Sequence, residues 1–378
     1  MTNDMTKGSP IKLILSFMVP LLIGNIFQQF YNMADTIIVG RTISVEALAA
    51  VGATGSISFL IVGFVQGVTS GFAVITAQRF GAGSENGVRR SVATSIILGI
   101  AVTIVMTAIS VLAARPLLEI MKTPSDIIDD SYNYIIVIFE GIAAAVFFNL
   151  FSSILRSLGD SKTPLVFLII ASIINIILDF VFILTFKMGV AGAGWATVIA
   201  QFISGILCFV YSLKKFPILR LTKHDWKFSW KFAWQHLEVG LPMAFQFSIT
   251  AIGTMVIQSA LNSLGSTAVA AFTAGSKIDQ FATQPLASLG VAVATYTAQN
   301  YGARELERIK KGVTGAAIIA TVCGIVGGFV VITFAKPLVA LFVGNGQNEV
   351  MSLSKEYLVL NGVFYVILGL LFVYRNAL

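Results

Sequence analysis

Ala77-Gln78-Arg79-Phe80-Gly81-Ala82 returns 221 residues later as Ala298-Gln299-Asn300-Tyr301-Gly302-Ala303. The stretches around these two copies also recur. Upstream, Ala47-Leu48-Ala49-Ala50 matches Ala268-Val269-Ala270-Ala271, and Val19-Pro20-Leu21 matches Leu241-Pro242-Met243. Downstream, Arg115-Pro116-Leu117 matches Lys336-Pro337-Leu338. The offset is 221 or 222 throughout. Chance does not hold one offset over such a distance, so the chain is an internal duplication.

The repeated unit is built for lipid. Hydrophobic residues make up 56% of the 378 and charged residues 11%, against about 25% charged in a soluble domain. Asp, Glu, Lys, Arg and His are absent from 13–34, 47–78, 91–114, 188–213, 239–276, 280–303 and 312–335. A spanning helix needs about 20 mostly apolar residues, so each window holds at least one span. Ten helices are predicted, near 11–37, 47–77, 90–113, 130–155, 164–186, 190–213, 238–262, 267–297, 311–334 and 353–378. Turn residues mark their links, among them Gly81-Ala82-Gly83, Gly159-Asp160, Gly189 and Gly344-Asn345-Gly346. The first apolar run, Ile11 to Met33, is too long for a signal-peptide core and reads as the first span.

Loop charge sets the orientation. With the N-terminus inside, inner segments carry eighteen Lys and Arg and outer segments six, while Lys277 lies within a span. This is a positive-inside bias, and it predicts a cytoplasmic N-terminus in the cell membrane. Six helices per repeat is an even number, so both repeats enter from the same side. The expected fold is an all-α polytopic membrane protein of two parallel six-helix repeats, forming two lobes around a central cavity. Its parts are an N-lobe at 1–213, a cytoplasmic linker at 214–237 and a C-lobe at 238–378. Helices five and six have no counterparts in the second repeat. The expectation is therefore a truncated second repeat, with about ten of twelve helices present.

Several function classes are excluded or left unsupported. The net charge of +7 resides in particular loops rather than in a groove-sized patch, and no nucleic-acid motif appears. Cys208 and Cys323 each sit in an apolar run and imply no disulfide framework. His224 and His236 have no companion ligands for a metal site. No nucleotide loop, nucleophile constellation or His-metal cluster points to an enzyme. Uphill transport by such a chain would have to draw on an ion gradient or a partner.

Charged groups inside a membrane are costly and need a reason. Asp35, Tyr134, Asn175, Asp179 and Thr197 fall on four helices of the first repeat. At 1.5 Å per residue they share a depth of roughly 6–18 Å below the outer surface. Two carboxylates, an amide, a phenol and a hydroxyl suit a hard cation such as Na⁺. Two close carboxylates equally suit a proton, and all five could be interhelical hydrogen-bonding groups. Pro20 and Pro242 interrupt the backbone ladders of helices one and seven and should kink them. Further polar candidates lie elsewhere. Glu140 and Gln246 are two, and Lys277, Gln280 and Gln284 share one face of helix eight, with Asp279 beside them. Lys277 and Asp279 could instead balance each other's charge. Trp226, Trp230 and Trp234, spaced by four among lysines, read as one face of an interfacial amphipathic helix.

Taken in order, the Pro20 helix ending Met33-Ala34-Asp35-Thr36-Ile37-Ile38-Val39-Gly40, the duplicated Ala-Gln-x-Tyr/Phe-Gly-Ala signature and Asn175-Ile176-Ile177-Leu178-Asp179 resemble the multidrug and toxic compound extrusion (MATE) family. The resemblance covers essentially the whole chain. It implies antiport, in which Na⁺ or H⁺ enters while an organic, often cationic and amphipathic, compound leaves. It also implies a first-lobe coupling site at Asp35, Asn175, Asp179 and Thr197 with Tyr134 beside them, Na⁺ being a possible occupant, and a functional bend at Pro20. No cofactor beyond the coupling ion is expected. The expected partners are membrane lipid and small organic substrates, with the chain a monomer. Asp35 maps by offset to Val256, so the second lobe lacks an equivalent acid. The alternative reading is a flippase for lipid-linked or polysaccharide precursors, for which a more cationic cavity would be expected.

Overall fold

A backbone crossing lipid finds no water to pair with, so each apolar run must satisfy its own N–H and C=O groups as helix. The computed structural model describes residues 4–343 and 348–378, and among them every regular element is helical. The Gly344-Asn345-Gly346 turn lies outside the described residues. In chain order the helices are α1 (Pro10–Thr42), α2 (Val45–Ala53), α3 (Gly55–Gly81), α4 (Glu85–Ile120), α5 (Ile128–Glu140), α6 (Ile142–Ser157), α7 (Lys162–Phe180), α8 (Gly189–Lys215), α9 (Trp230–Ser263), α10 (Ser266–Gly302), α11 (Leu306–Thr333), α12 (Ala335–Val343) and α13 (Asn348–Ala377).

Among the described residues, eight helical segments are long and apolar enough to cross a membrane, or nine if α5 and α6 count as one span. The predicted eighth helix, 267–297, corresponds to α10. It is 37 residues long, and its Ser, Thr and Gln residues with Lys277 and Asp279 make it more polar than the other long helices. Two predicted helices are interrupted. The second breaks at Thr54 into α2 and α3. The fourth breaks at Gly141, where α5 and α6 meet at 48°. A Cβ at Gly141 would lie 2.2 Å from Val198, so α8 occupies the space a side chain would need. The linker is shorter than expected, because α9 already begins at Trp230. Trp226 sits in the preceding turn, so the three-tryptophan helical face does not form. Only Trp230 and Trp234 share a helix.

The helices pack as two units, residues 27–252 and residues 4–26 with 253–378. This differs from a split at the linker. The first part of α1 packs in the second unit and the first part of α9 in the first. Glycines make both placements possible. A Cβ on Gly67 would come 2.6 Å from the Ala244 backbone, and one on Gly71 would come 2.4 Å from Gly240. Thus α9 lies directly on α3 along a Gly-x-x-x-Gly seam, the close backbone packing that membranes favour where apolar burial drives nothing. In the second unit Asn25 Nδ2 of α1 donates to Ser288 Oγ of α10 at 3.1 Å. There Gly324 and Gly328 of α11 meet Val366 and Gly362 of α13 at 2.8 and 2.5 Å in the same sense. The duplication is visible in side-chain detail. Ser131 Oγ donates to Ala50 O at 3.1 Å, and Ser354 Oγ donates to Ala271 O at 2.9 Å. All four residues are buried.

Overpacking a tight seam costs about 1–3 kcal/mol or more. Gly71→Leu and Gly328→Leu are each expected to lower the melting temperature of the detergent-purified protein by several degrees or to abolish folded yield. Gly253→Leu, whose Cβ would meet nothing within 4 Å, serves as the tolerant control. Equal melting of all three variants would contradict the seams.

Candidate functional site

At Phe180 the regular turns of α7 give way to a wide π-helical turn, Val181–Thr185, in which Phe186 N–H reaches back to Val181 O at 3.0 Å. Such turns interrupt the helical ladder and often accompany functional side chains. Asp179 sits immediately before it and Asn175 one turn earlier on the same face. Both are fully buried. The chain returns as α8, where Asn175 Nδ2 donates to Thr197 Oγ1 at 3.3 Å. Gly194, three residues before Thr197, lets α8 approach α5, since its Cβ would fall 3.1 Å from Val137 and 3.3 Å from Tyr134 O. From α1 comes Asp35, 8% exposed. Its carboxyl is a near neighbour of that of Asp179. Tyr134 lies beside both acids. The structure therefore assembles all five residues that depth arithmetic grouped, within the 27–252 unit.

The site is short of donors. Asp35 Oδ1, both carboxyl oxygens of Asp179 and Asn175 Oδ1 are buried and accept no hydrogen bond from any N–H or O–H. Neither acid has a Lys, Arg or His partner within 4 Å among the described residues. Two unit charges about 4 Å apart repel by about 4 kcal/mol at an effective dielectric of 20, and burying such oxygens unpaired adds a desolvation cost. A proton between the carboxyls, or a hard cation among these oxygens and Thr197 Oγ1, removes both penalties. The donor set fits Na⁺, which takes oxygen ligands by the same logic as other hard cations. No group of three or more His, Cys, Asp or Glu is gathered among the described residues, so the softer ligands of a zinc-type site are not assembled here.

Sequence reasoning missed Tyr31. It lies near Thr197, Asp35 and Asp179. It stands one helical turn before Asp35, so the i, i+4 rule applied to α1 as it was to Asn175 and Asp179 would have found it. The remaining candidates are dispersed. Glu140 is exposed at the end of α5 and Gln246 half-buried in α9, both in the first unit. Lys277, Asp279, Gln280 and Gln284 belong to the second unit. Asp279 accepts a hydrogen bond from Tyr365 OH at 2.7 Å, while Lys277 is exposed and makes no ion pair with it. The Lys277–Asp279 charge balance is thus not formed, because residues two apart on a helix face different ways. Pro20 and Pro242 lie inside helices that continue past them.

An all-helical, multi-span chain with polar groups gathered inside its membrane helices is the architecture of a membrane transporter. The MatE family model matches residues 20–181 and 242–378. The chain belongs to this family, the MATE transporters, whose members are not enzymes. It is 29% identical over 374 residues to the "Probable multidrug resistance protein YpnP" of Bacillus subtilis (strain 168), covering 98% of this chain and 82% of that protein. It is 28% identical over 375 residues to the "Probable multidrug resistance protein YoeA" of the same organism, covering 97% and 81%. Among solved structures, the outward-facing conformation of a multidrug resistance MATE family transporter of the MOP superfamily matches with a TM-score of 0.90 at 25% identity, covering 99% of this chain and 84% of that one.

Because the Asp179 oxygens have no donor to lose, Asp179→Asn is expected to leave the melting temperature in Na⁺-free buffer at pH 8 unchanged or raise it. Thr197→Val, which strands the Asn175 amide, is expected to lower stability by about 1 kcal/mol. Differential scanning fluorimetry of both variants checks this, and a marked fall for Asp179→Asn would mean a hidden donor.

Proposed function

We propose that the protein is a secondary antiporter that exports small organic compounds, cationic and amphipathic in character, in exchange for Na⁺ or H⁺. One observation carries the reading, namely the four buried oxygens of Asp35, Asn175 and Asp179 that accept no hydrogen bond. The names of the curated relatives support multidrug efflux as the cargo side.

In this reading Asp35 and Asp179 hold the ion between them, and Asn175 and Thr197 complete its shell. Tyr31 and Tyr134 shield it from water. When the ion leaves, the two carboxylates repel, and α1 yields because Pro20 has removed one backbone hydrogen bond from its ladder. Alternating access is the proposed cycle, carried by the two packed units, residues 27–252 and residues 4–26 with 253–378, rather than by halves cut at the linker. Glu140 and Gln246 of the first unit, and Lys277, Asp279, Gln280 and Gln284 of the second, are the proposed substrate contacts, and Pro242 gives the second repeat its matching weak point. The chain works as a monomer in the cell membrane, with the N-terminus cytoplasmic as the loop charges require.

The full chain reconstituted in vesicles, loaded with ethidium and given an imposed Na⁺ or pH gradient, tests the proposal. Wild type should expel the dye under one gradient, which names the ion. Asp179→Asn and Asp35→Asn should each lose at least tenfold in initial rate, while Glu119→Gln stays near wild type. Unchanged efflux in both aspartate variants would sink the site assignment. No efflux under either gradient would sink the antiport reading.

A further inference from the structure

The platform at the basic end of the first unit has a different composition. Arg79 ends α3, Arg90 lies in the second turn of α4, and both guanidiniums gather on one ring at the start of α9. Their Cζ atoms stand 5.4 and 5.0 Å from the Phe232 centroid. The ring is fixed from below. His236 packs edge-on against it at 5.0 Å and pairs through Nδ1 with Phe232 O at 2.9 Å. Its other nitrogen pairs with Ser91 Oγ at 2.8 Å, which in turn pairs with Thr76 Oγ1 at 2.9 Å. Gln235 Oε1 accepts from Arg79 Nη2 at 3.2 Å.

The acids nearby are engaged elsewhere. Glu85 pairs with Arg89 at 3.0 Å, and Asp225 accepts from Thr222 N–H and Oγ1 at 2.7 Å. No carboxylate stands within 4 Å of Arg79 or Arg90 among the described residues. Two like charges on one ring with no counter-ion call for an anion. Beside them Trp230 and Trp234 are 64% and 49% exposed, with ring centroids 6.4 Å apart. Phe228 lies tilted against Trp230 with ring centroids 6.3 Å apart, and Lys227 and Lys231 are exposed among them. Exposed indoles next to cations mark the headgroup layer of a bilayer. The duplication isolates the feature further. Asn300 stands at the position equivalent to Arg79 and spends its amide on Met5 O and Tyr296 O.

We infer that Arg79 and Arg90, braced by Phe232 and flanked by Trp230 and Trp234, form a binding site for the phosphate of an anionic phospholipid. The forked guanidiniums bind the phosphodiester oxygens, and the indoles and Phe228 seat the upper acyl chains. Basic pockets between spanning helices take anionic headgroups on this principle. The inference does not depend on the coupling ion or the exported compound.

Native mass spectrometry of the full chain, purified in mild detergent and titrated with phosphatidylglycerol or phosphatidylcholine, tests it. Wild type should retain phosphatidylglycerol at least fivefold better. Arg79→Gln/Arg90→Gln should erase the preference, and Arg90→Gln alone should reduce it. Arg90 is exposed, so the single variant keeps the test valid if the double variant fails to fold. Arg115→Gln, whose arginine pairs with Glu119 and Asp129, should keep the preference. A wild type without preference, or an arginine variant that retains it in full, overturns the proposal. Millimolar inorganic phosphate that displaces phosphatidylglycerol and raises the melting temperature without lipid also overturns it, in favour of a free-anion site.

Discussion

The approach of Asp35 to Asp179 with no donor between them is the constraint around which the first unit is organised. A protein interior tolerates such a pair only if something outside the fold completes it, because desolvation and mutual repulsion both oppose the empty, ionised state. The surroundings are arranged to keep it so. Asn175 directs its amide N–H₂ toward Thr197 and leaves its carbonyl oxygen without a donor, and among the described residues no cation pairs with either acid. The second unit treats its intramembrane acid in the opposite way, giving Asp279 a phenolic donor in Tyr365. One duplication has thus produced one intramembrane acid with a donor from the fold and a pair of acids with oxygens left without one.

Much of this was legible in the sequence because it rests on spacing. The repeat was readable as an offset, and it reappears as the paired Ser131–Ala50 and Ser354–Ala271 hydrogen bonds. The five-residue cluster followed from a fixed rise per residue, which needs no knowledge of packing. Tyr31 escaped only because the one-turn rule was not applied to α1.

What escaped for better reason depends on neighbours distant in sequence. The break at Gly141 is set by Val198 of α8, not by any local turn signal. The first parts of α1 and α9 pack with helices of the opposite repeat because glycines and Ser288 more than a hundred residues away admit them. Trp226 fell out of the expected helix because the chain between α8 and α9 forms its own short turns, fastened where Asp225 accepts from Thr222 N–H and Oγ1 at 2.7 Å. Spacing by four described the tryptophans correctly but could not say where the helix starts. The polarity of α10 was present in its composition, yet an absence of charge in the flanking windows outweighed it.

The exchange of helix parts between the units has a consequence for biosynthesis. The opening turns of α1 leave the ribosome first, but the α10 surface they pack on, including Ser288, is made some 260 residues later. Until then that end of α1 waits in the bilayer without its partner. The first unit is likewise unfinished until α9 has emerged. Neither repeat can reach its final packing from its own residues, so the two halves of the duplication mature together, and the gene cannot be cut at the linker into two self-sufficient products.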